Sequence, residues 1–573
     1  MQEISKNRHE HTFLTGWYTN NDGKLTAGYK IYNSNTAKLI AEHKYSSDNI
    51  FNIIDSIANQ VRYDLELPER HIMESKFLSV QDLLTNSPEA FEYQIKGQIT
   101  WNIDRNDYGC MEHVKKSVEL DPTNPWARWI LAETYVFTNQ LDKAMEHYKA
   151  GFKHAYKFTE SLGKGFKGKY YQWVEKNGNK NFKNTKMFAE MNPYDRDAQF
   201  SLVSEYYHRY MIDEALAKLN ELRHSYPDNY DILSYISFIY EMAGDFDNAI
   251  SYAKEYANYY PNDANTYRAL GYTYDYFGYY NQSIENYEKA LLIDPNNFRY
   301  LTSLSKLKLT TGKFEESKKI CEQMLELSNL PEDFENAYDC IETYYRIRGQ
   351  IRKSIDIIGK ELESANERSL GDDIDWSGRH REISNRYLTI GNYDKALEHL
   401  HILEEQTLDI FKDKRIFDYI KIYHMKGDIK KLRSLIKPME KYLKAQFNYK
   451  YEKKLLSTKG LVNQLEGDYD SAIDNFKKAR KYSKISGSLI DLAKTYQLSG
   501  KLNNARKYID MSLDLNPFGA YERYLSALIY EDSGNLDRAK GELEIALDVW
   551  SNADEDHVYA KKVREKIKEL NEN

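Results

Sequence analysis

Proline is scarce, with 11 residues in a chain of 573. So few breakers exclude a proline-rich recognition tract and leave room for many unbroken helices. Cysteine is scarcer still, and Cys110, Cys321 and Cys340 are odd in number and unclustered. They make neither a disulfide framework nor a zinc pattern, which favours a reducing compartment. Cys321 and Cys340 both fall on helical patterns and read as small core residues rather than nucleophiles. No apolar run approaches the roughly 18 residues of a membrane span, and the opening MQEISKNRHEHTFLTGWY has no signal-peptide core. The expectation is a soluble, cytoplasmic chain without a transmembrane segment. A net charge of −8 and a pI near 6.0 give no general attraction to nucleic acid or anionic membrane.

What the chain has instead is tyrosine, 50 of them, within an ordinary 41% hydrophobic and 29% charged composition. That balance excludes global disorder, and the length exceeds one compact core. Several domains or one repeat array remain. A short motif, Gly-x-apolar-polar-x-Ala/Ser, settles the choice. It recurs as Asn139-QLDK-Ala144, Gly244-DFDN-Ala249, Gly278-YYNQ-Ser283, Gly312-KFEE-Ser317 and Gly391-NYDK-Ala396. It returns as Gly467-DYDS-Ala472, Gly500-KLNN-Ala505 and Gly534-NLDR-Ala539, with weaker copies at Asn106, Tyr210, Gly349 and Gly427. Tyr210, Gly244, Gly278 and Gly312 follow one another at steps of 34, as do Gly500 and Gly534.

Residues 264–297 carry the fullest copy. Tyr267, Leu270, Gly271 and Tyr274 fall on a first helix, Gly278 in the turn, and Ser283, Tyr287 and Ala290 on a second helix that Pro295 ends. Gly271 and Ala290 are small enough for two helices to approach closely, and Asp294-Pro295 stops the unit. This pattern resembles the tetratricopeptide repeat. The resemblance implies a mainly α fold, an α-solenoid of about twelve helical hairpins over residues 87–553. A degenerate unit falls near 155–192, and spacing widens to 37, 42, 36 and 40 between residues 312 and 467. Residues 554–573, with Val563, Ile567 and Leu570 on one stripe, read as a solvated capping helix.

The first seventy residues differ. Residues 13–45 alternate with period two around Asn20-Asn21-Asp22-Gly23, predicting a hairpin and a third strand, "AKLIAEHKY". Ser47 or Asp48 is then expected to cap an amphipathic helix, IFNIIDSIANQVRYDLEL. "FLTGWYTNNDGKLTAGYKIYNSNTAKLIAEHKY", "NIFNIIDSIANQV" and "TNSPEAFEYQIKGQ" are similar to the second half of the TolB-like amino-terminal domain of bacterial signalling proteins. That family domain begins well upstream of Phe13, so residues 1–70 are expected to be a small α/β remnant, joined by a linker at 71–86. No cyclase, kinase or DNA-binding domain accompanies it.

The most basic stretch is SLGKGFKGKYYQW, in which Gly163, Gly168 and Lys169 have the spacing of a phosphate loop. Tyr170 stands where the magnesium-binding hydroxyl belongs and no strand precedes it, so the stretch is expected to be the first helix of the degenerate repeat. Residues 149–188 hold ten lysines against Glu160 and Glu175, a local excess of eight positive charges. Lys164, Lys167 and Lys169 lie there among Phe166, Tyr170, Tyr171, Trp173 and Phe182. Three readings follow: packing aromatics with a solvated lysine face, a docking site for an acidic protein segment, or a single-stranded nucleic-acid site. The last is the least favoured.

Other chemistry is thin. His9-Glu10-His11 lacks a third metal ligand, His399 and His401 point to different helix faces, and no catalytic constellation or cofactor motif is present. The residues therefore read as a non-catalytic protein-interaction scaffold of a bacterial signalling system. The alternative is the regulatory portion of a cyclase, kinase or transcriptional regulator whose effector domain lies upstream. In the repeat family the first helix of each unit lines the inner groove. Matched to Gly271, that implies a groove of Trp129, Phe238, Arg268, Tyr272, Asp275 and Tyr276 for an extended protein or peptide partner.

Overall fold

The period-two segment folds as expected, into strands β1 (Thr12–Asn21), β2 (Lys24–Asn33) and β3 (Leu39–Ser47) of one antiparallel sheet in the order β1-β2-β3. The computed structural model describes residues 12–21, 24–66, 79–102, 107–137, 140–158, 160–227, 229–329, 331–368, 377–407, 415–445, 447–485 and 487–572. The chain forms two compact units, Met1–Phe188 and Ala189–Asn573.

In the first unit Asn21 pairs with Lys24, and Asp22-Gly23 of the expected turn lie outside the described residues. The following helix is Ile50–Asp64, and its cap is Asn49, not Ser47 or Asp48. The Asn49 side chain accepts from the Phe51 N–H, while Ser47 Oγ accepts from Asn49 N at 3.1 Å. The helix covers β2 and β3, burying Tyr29, Ile31, Phe51 and Ile53. β1 gets no such cover, and Leu14 and Tyr18 stay exposed. Asp64 closes the packing from the helix end. It accepts from Tyr29 Oη and from Gln60 Nε2, and lies 3.2 Å from His43 Nε2. Burial works against its charge, yet those hydrogen bonds and the His43 field hold its carboxyl below the usual range. Helical hairpins follow: Pro88–Asn102 with Asp107–Leu120, then Pro125–Phe137 with Leu141–Phe152.

The second unit is a solenoid of helical hairpins. In the one formed by Ala264–Tyr276 and Tyr280–Ile293, a Cβ at Gly271 would sit 2.9 Å from the Tyr287 ring. Only glycine lets these helices come so close. Ser283 Oγ donates to Gly271 O at 2.7 Å across the same contact. The geometry repeats where Ser237 donates to Ala249 O and Ser384 to Ala396 O. Gly278 turns the hairpin with φ +84°, and the motif glycines from Gly244 to Gly534 share that left-handed conformation. Tyr210 holds the same position without being glycine, at φ +57°. Its hydroxyl donates to Met242 O at 2.9 Å and its ring packs on Tyr449 and Tyr482, which offset the backbone strain.

The array also closes on itself. A Cβ at Gly312 would lie 2.6 Å from the Phe518 ring, and one at Gly349 would lie 2.6 Å from Ala553 Cβ. Arg348 donates to Asp548 O at 3.0 Å and to Ser551 Oγ at 2.8 Å, and its guanidinium lies 4.4 Å from the Phe314 ring. The turns of the earlier repeats thus rest on the loops of the last ones. The widened spacing follows from long helices, Pro331–Ile347 and Ile351–Arg368, and from short ones, Ile420–Met425, Ile429–Ser434 and Ile436–Ala445.

One sequence expectation is corrected here. Cys321, on helix Phe314–Leu327, and Cys340, on Pro331–Ile347, form a disulfide with Cα atoms 5.3 Å apart. They are core residues, but paired. The favoured reducing compartment loses its support, and Cys110 is a buried free thiol. Among the described residues no helix is long and apolar enough to cross a membrane.

Helix Val558–Glu572 buries Ala560 and Val563 against Ala539, Leu543 and Ala546 of the last hairpin. The segment before it binds elsewhere too: Asp554 N donates to Gly349 O at 3.1 Å, and Arg352 N donates to Asp554 Oδ2 at 2.8 Å. Truncation after residue 553 should therefore expose the end of the last hairpin and also loosen helices 331–347 and 351–368, read as faster amide exchange in both places. Exchange altered only near residues 520–550 would contradict this.

Candidate functional site: the inner face of the second unit

The expected groove residues sit on the first helices of consecutive hairpins, Asp231–Ala243 and Ala264–Tyr276. Phe238 is half-buried and meets the Tyr207 ring edge-on at 5.2 Å; Tyr207 continues to Tyr449 at 6.2 Å. Tyr272 and Tyr276 stack at 6.4 Å, and Tyr272 is 43% exposed. Phe238, Arg268, Tyr272, Asp275 and Tyr276 thus form one tract. Trp129, in the first unit, is engaged differently. Its ring meets Trp126, Phe158 and Phe166 edge-on within 5.3–6.0 Å, and its Nε1–H donates to Glu133 Oε1 at 3.1 Å.

Asp275 is open to solvent, yet surrounding protein pushes its carboxyl up to about 6, against the pull of Lys306. The Tyr276 hydroxyl is pushed up to about 12, first by burial and then by the fields of Tyr272 and Glu241. Arg268 Nε is buried in this tract with no hydrogen-bond partner among the described residues.

Sequence reasoning missed Glu241, which lies beneath this tract. Its carboxylate accepts from Thr273 Oγ1 at 2.6 Å, and burial lifts its pKa to about 7, opposed by that bond and by Arg268. A carboxylate inside the apolar run ISFIYEMA was the available signal. Because this pKa exceeds the ordinary value of 4.5, the folded chain holds the proton more tightly than the unfolded one. Stability should then fall as pH rises from about 4.5 through about 7. Glu241→Gln keeps an acceptor for Thr273 and should add on the order of 2 kcal/mol at pH 8, with little change at pH 4.5. Thermal melts at the two pH values test this, and a lower melting temperature at pH 8 would show the ionised form to be stabilising.

The basic stretch is helical from Glu160 to Trp173, so its glycines form no phosphate loop. Gly165 lies under Trp129, and a Cβ at Gly168 would meet Asn181 Oδ1 at 2.8 Å. These are close-approach glycines. Lys169 Nζ pairs with Glu133 Oε2 at 3.3 Å and Lys164 Nζ lies 5.4 Å from the Phe188 ring centre, while Lys167 is half-exposed on the same helix. Aromatic contacts such as Phe152 on Tyr170, at 4.0 Å, hold this segment. His9-Glu10-His11 lies outside the described residues. His399 stacks on Tyr387 and approaches His380 Nδ1 at 2.9 Å, whereas His401 faces Tyr419.

The human general transcription factor 3C polypeptide 3 is 26% identical over 190 residues, covering 32% of this chain and 20% of that protein. The chain thus spans only part of the curated relative it matches. A crystal structure of the APC/C hetero-tetramer Cut9-Hcn1 aligns over 84% of this chain and 96% of that one, at 14% identity. Its TM-score of 0.32 is too low to carry an argument. Residues 231–263 and 264–297 each match a family model described as tetratricopeptide repeat. The hairpins that carry Phe238, Arg268, Tyr272, Asp275 and Tyr276 are thus similar to the tetratricopeptide repeat.

Proposed function

We propose that this chain is a non-catalytic scaffold that holds an extended segment of a protein partner along the inner face of its second unit. One observation supports the reading: half-buried Phe238 and Tyr276 and 43% exposed Tyr272 lie on the first helices of consecutive hairpins, with Arg268 and Asp275 on the same helix as the two tyrosines. Aromatic rings so placed give a partner large contact area at low entropic cost. Arg268 and Asp275 supply polar contacts that would fix register. The finer assignment, to a docking module of a bacterial signalling system, rests on the similarity of residues 13–45 and 49–61 to the TolB-like domain.

Photo-crosslinking tests the surface even while the partner is unidentified. A photo-reactive phenylalanine analogue at position 272 should capture a discrete protein in cells, and the same analogue at position 289, on the exposed second helix, should not. Equal capture from both positions would place the docking face elsewhere.

A further inference from the structure

A second cavity lies in the same unit on other helices. Its volume is about 510 Å³, within the range of small-molecule sites. Arg346, Arg386, Lys421 and Lys494 line it, drawn from helices Pro331–Ile347, Ser377–Thr389, Ile420–Met425 and Leu489–Leu498. Residues so far apart in sequence meet here because the array closes on itself.

The cations outnumber their counter-charges. One carboxylate, Glu342, serves both arginines, 2.6 Å from Arg386 Nε and 3.6 Å from Arg346 Nε. Glu342 is 5% exposed, so it sits behind the guanidinium groups. Lys421 has no ion-pair partner among the described residues. Burial lowers its ammonium pKa, and the fields of Arg386 and Arg346 lower it further. Lys494 lies near Asp491, whose carboxyl burial pushes up despite Lys494 and Lys453. Glu522 is likewise pushed up by burial, against hydrogen bonds from its own backbone and from Asn516. His424 is pushed down to about 4 by burial and by Lys494, and so is neutral. Four cations thus meet three carboxylates, Glu342, Asp491 and Glu522, and burial favours the protonated form of the last two, which leaves the cavity cationic.

The lining is also aromatic. Phe518, Tyr521 and Tyr559 are part of it, with Tyr521 and Tyr559 edge-on at 4.5 Å. A cavity lined by both cations and aromatic rings selects for a ligand with a compact dianion and a flat apolar body. A phosphate monoester carries close to two negative charges at neutral pH and has oxygens suited to guanidinium forks.

We infer that this cavity binds a small phosphate monoester carried on an aromatic or similarly flat apolar body. The site is independent of the peptide groove, and either can fail without the other.

The test is calorimetry on the full chain at pH 7.5 with phenyl phosphate, inorganic phosphate and phenol. Phenyl phosphate should bind at least tenfold more tightly than either fragment. Lys421→Met should weaken it at least tenfold while raising the melting temperature, because a crowded, unpaired cation is lost. A merely structural lysine would lower the melting temperature instead. Lys494→Gln provides a second variant with the same expected weakening, and Lys289→Met, on the exposed helix, should change nothing. Absence of phenyl phosphate binding at millimolar concentration would overturn the assignment, as would unchanged affinity in both Lys421→Met and Lys494→Gln. A tyrosine-phosphorylated peptide binding more tightly than phenyl phosphate would also overturn it, in favour of a phosphorylated protein ligand.

Discussion

Phe476→Ala is expected to cost about 3–5 kcal/mol, the range for deleting a fully buried aromatic ring whose site cannot collapse. Phe476 is 0% exposed on helix Tyr469–Arg480. Its ring covers Gly460, where an added Cβ would fall 2.6 Å from the ring edge, and it shares a cluster with Ile473, Leu492, Ala493 and Ile509. Gly460 has no side chain and Ala493 only a methyl, so these two neighbours cannot fill the space. Stability in a repeat array is a sum of units and nearest-neighbour contacts, so the loss should be local first. Amide exchange should accelerate most between residues 449 and 514 and less at 264–310. Uniform acceleration across the whole unit would mean that closure of the array, not the repeat, sets its cooperativity.

The second large effect concerns binding. Phe238→Ala combined with Tyr272→Ala should weaken a partner identified by crosslinking at least tenfold at moderate salt. Aromatic anchors in a desolvated groove typically contribute about 2 kcal/mol or more on truncation. The two rings sit on neighbouring hairpins, so an extended segment spanning both would lose two contacts at once. Phe238 also packs on Tyr207, so the fold of the double variant must be verified by its melting temperature before affinity is read.

Within each hairpin the sequence pattern was a sufficient guide. Gly271 against Tyr287 and the left-handed Gly278 are local consequences of a 34-residue step, visible once the copies are aligned. The contacts between distant repeats were not visible. Gly312 against Phe518, and Arg348 on Asp548, depend on rotation accumulated over many hairpins, which the irregular segment between 312 and 467 changes. The disulfide escaped for a related reason: Cys321 and Cys340 meet through helix packing that spacing alone does not encode. Tyr207 meets Phe238 as one hairpin packs on the next, whereas Tyr449 reaches Tyr207 only through tertiary closure. Trp129 occupies the matching register in its own repeat, but Phe158 and Phe166 of the degenerate unit pack onto its ring.

The most direct test of the account is the salt dependence of partner affinity, measured for the unmodified chain and for charge reversal at Lys164, Lys167 and Lys169. Docking through aromatic rings in a groove depends little on ionic strength, while docking through exposed lysines is screened as salt rises. The account predicts an affinity that changes less than threefold between about 0.1 and 0.5 M salt, with the lysine variant affected chiefly at the low end. Affinity that collapses over that range, together with loss of binding in the lysine variant at moderate salt, would place the docking site on the basic helix and contradict the account.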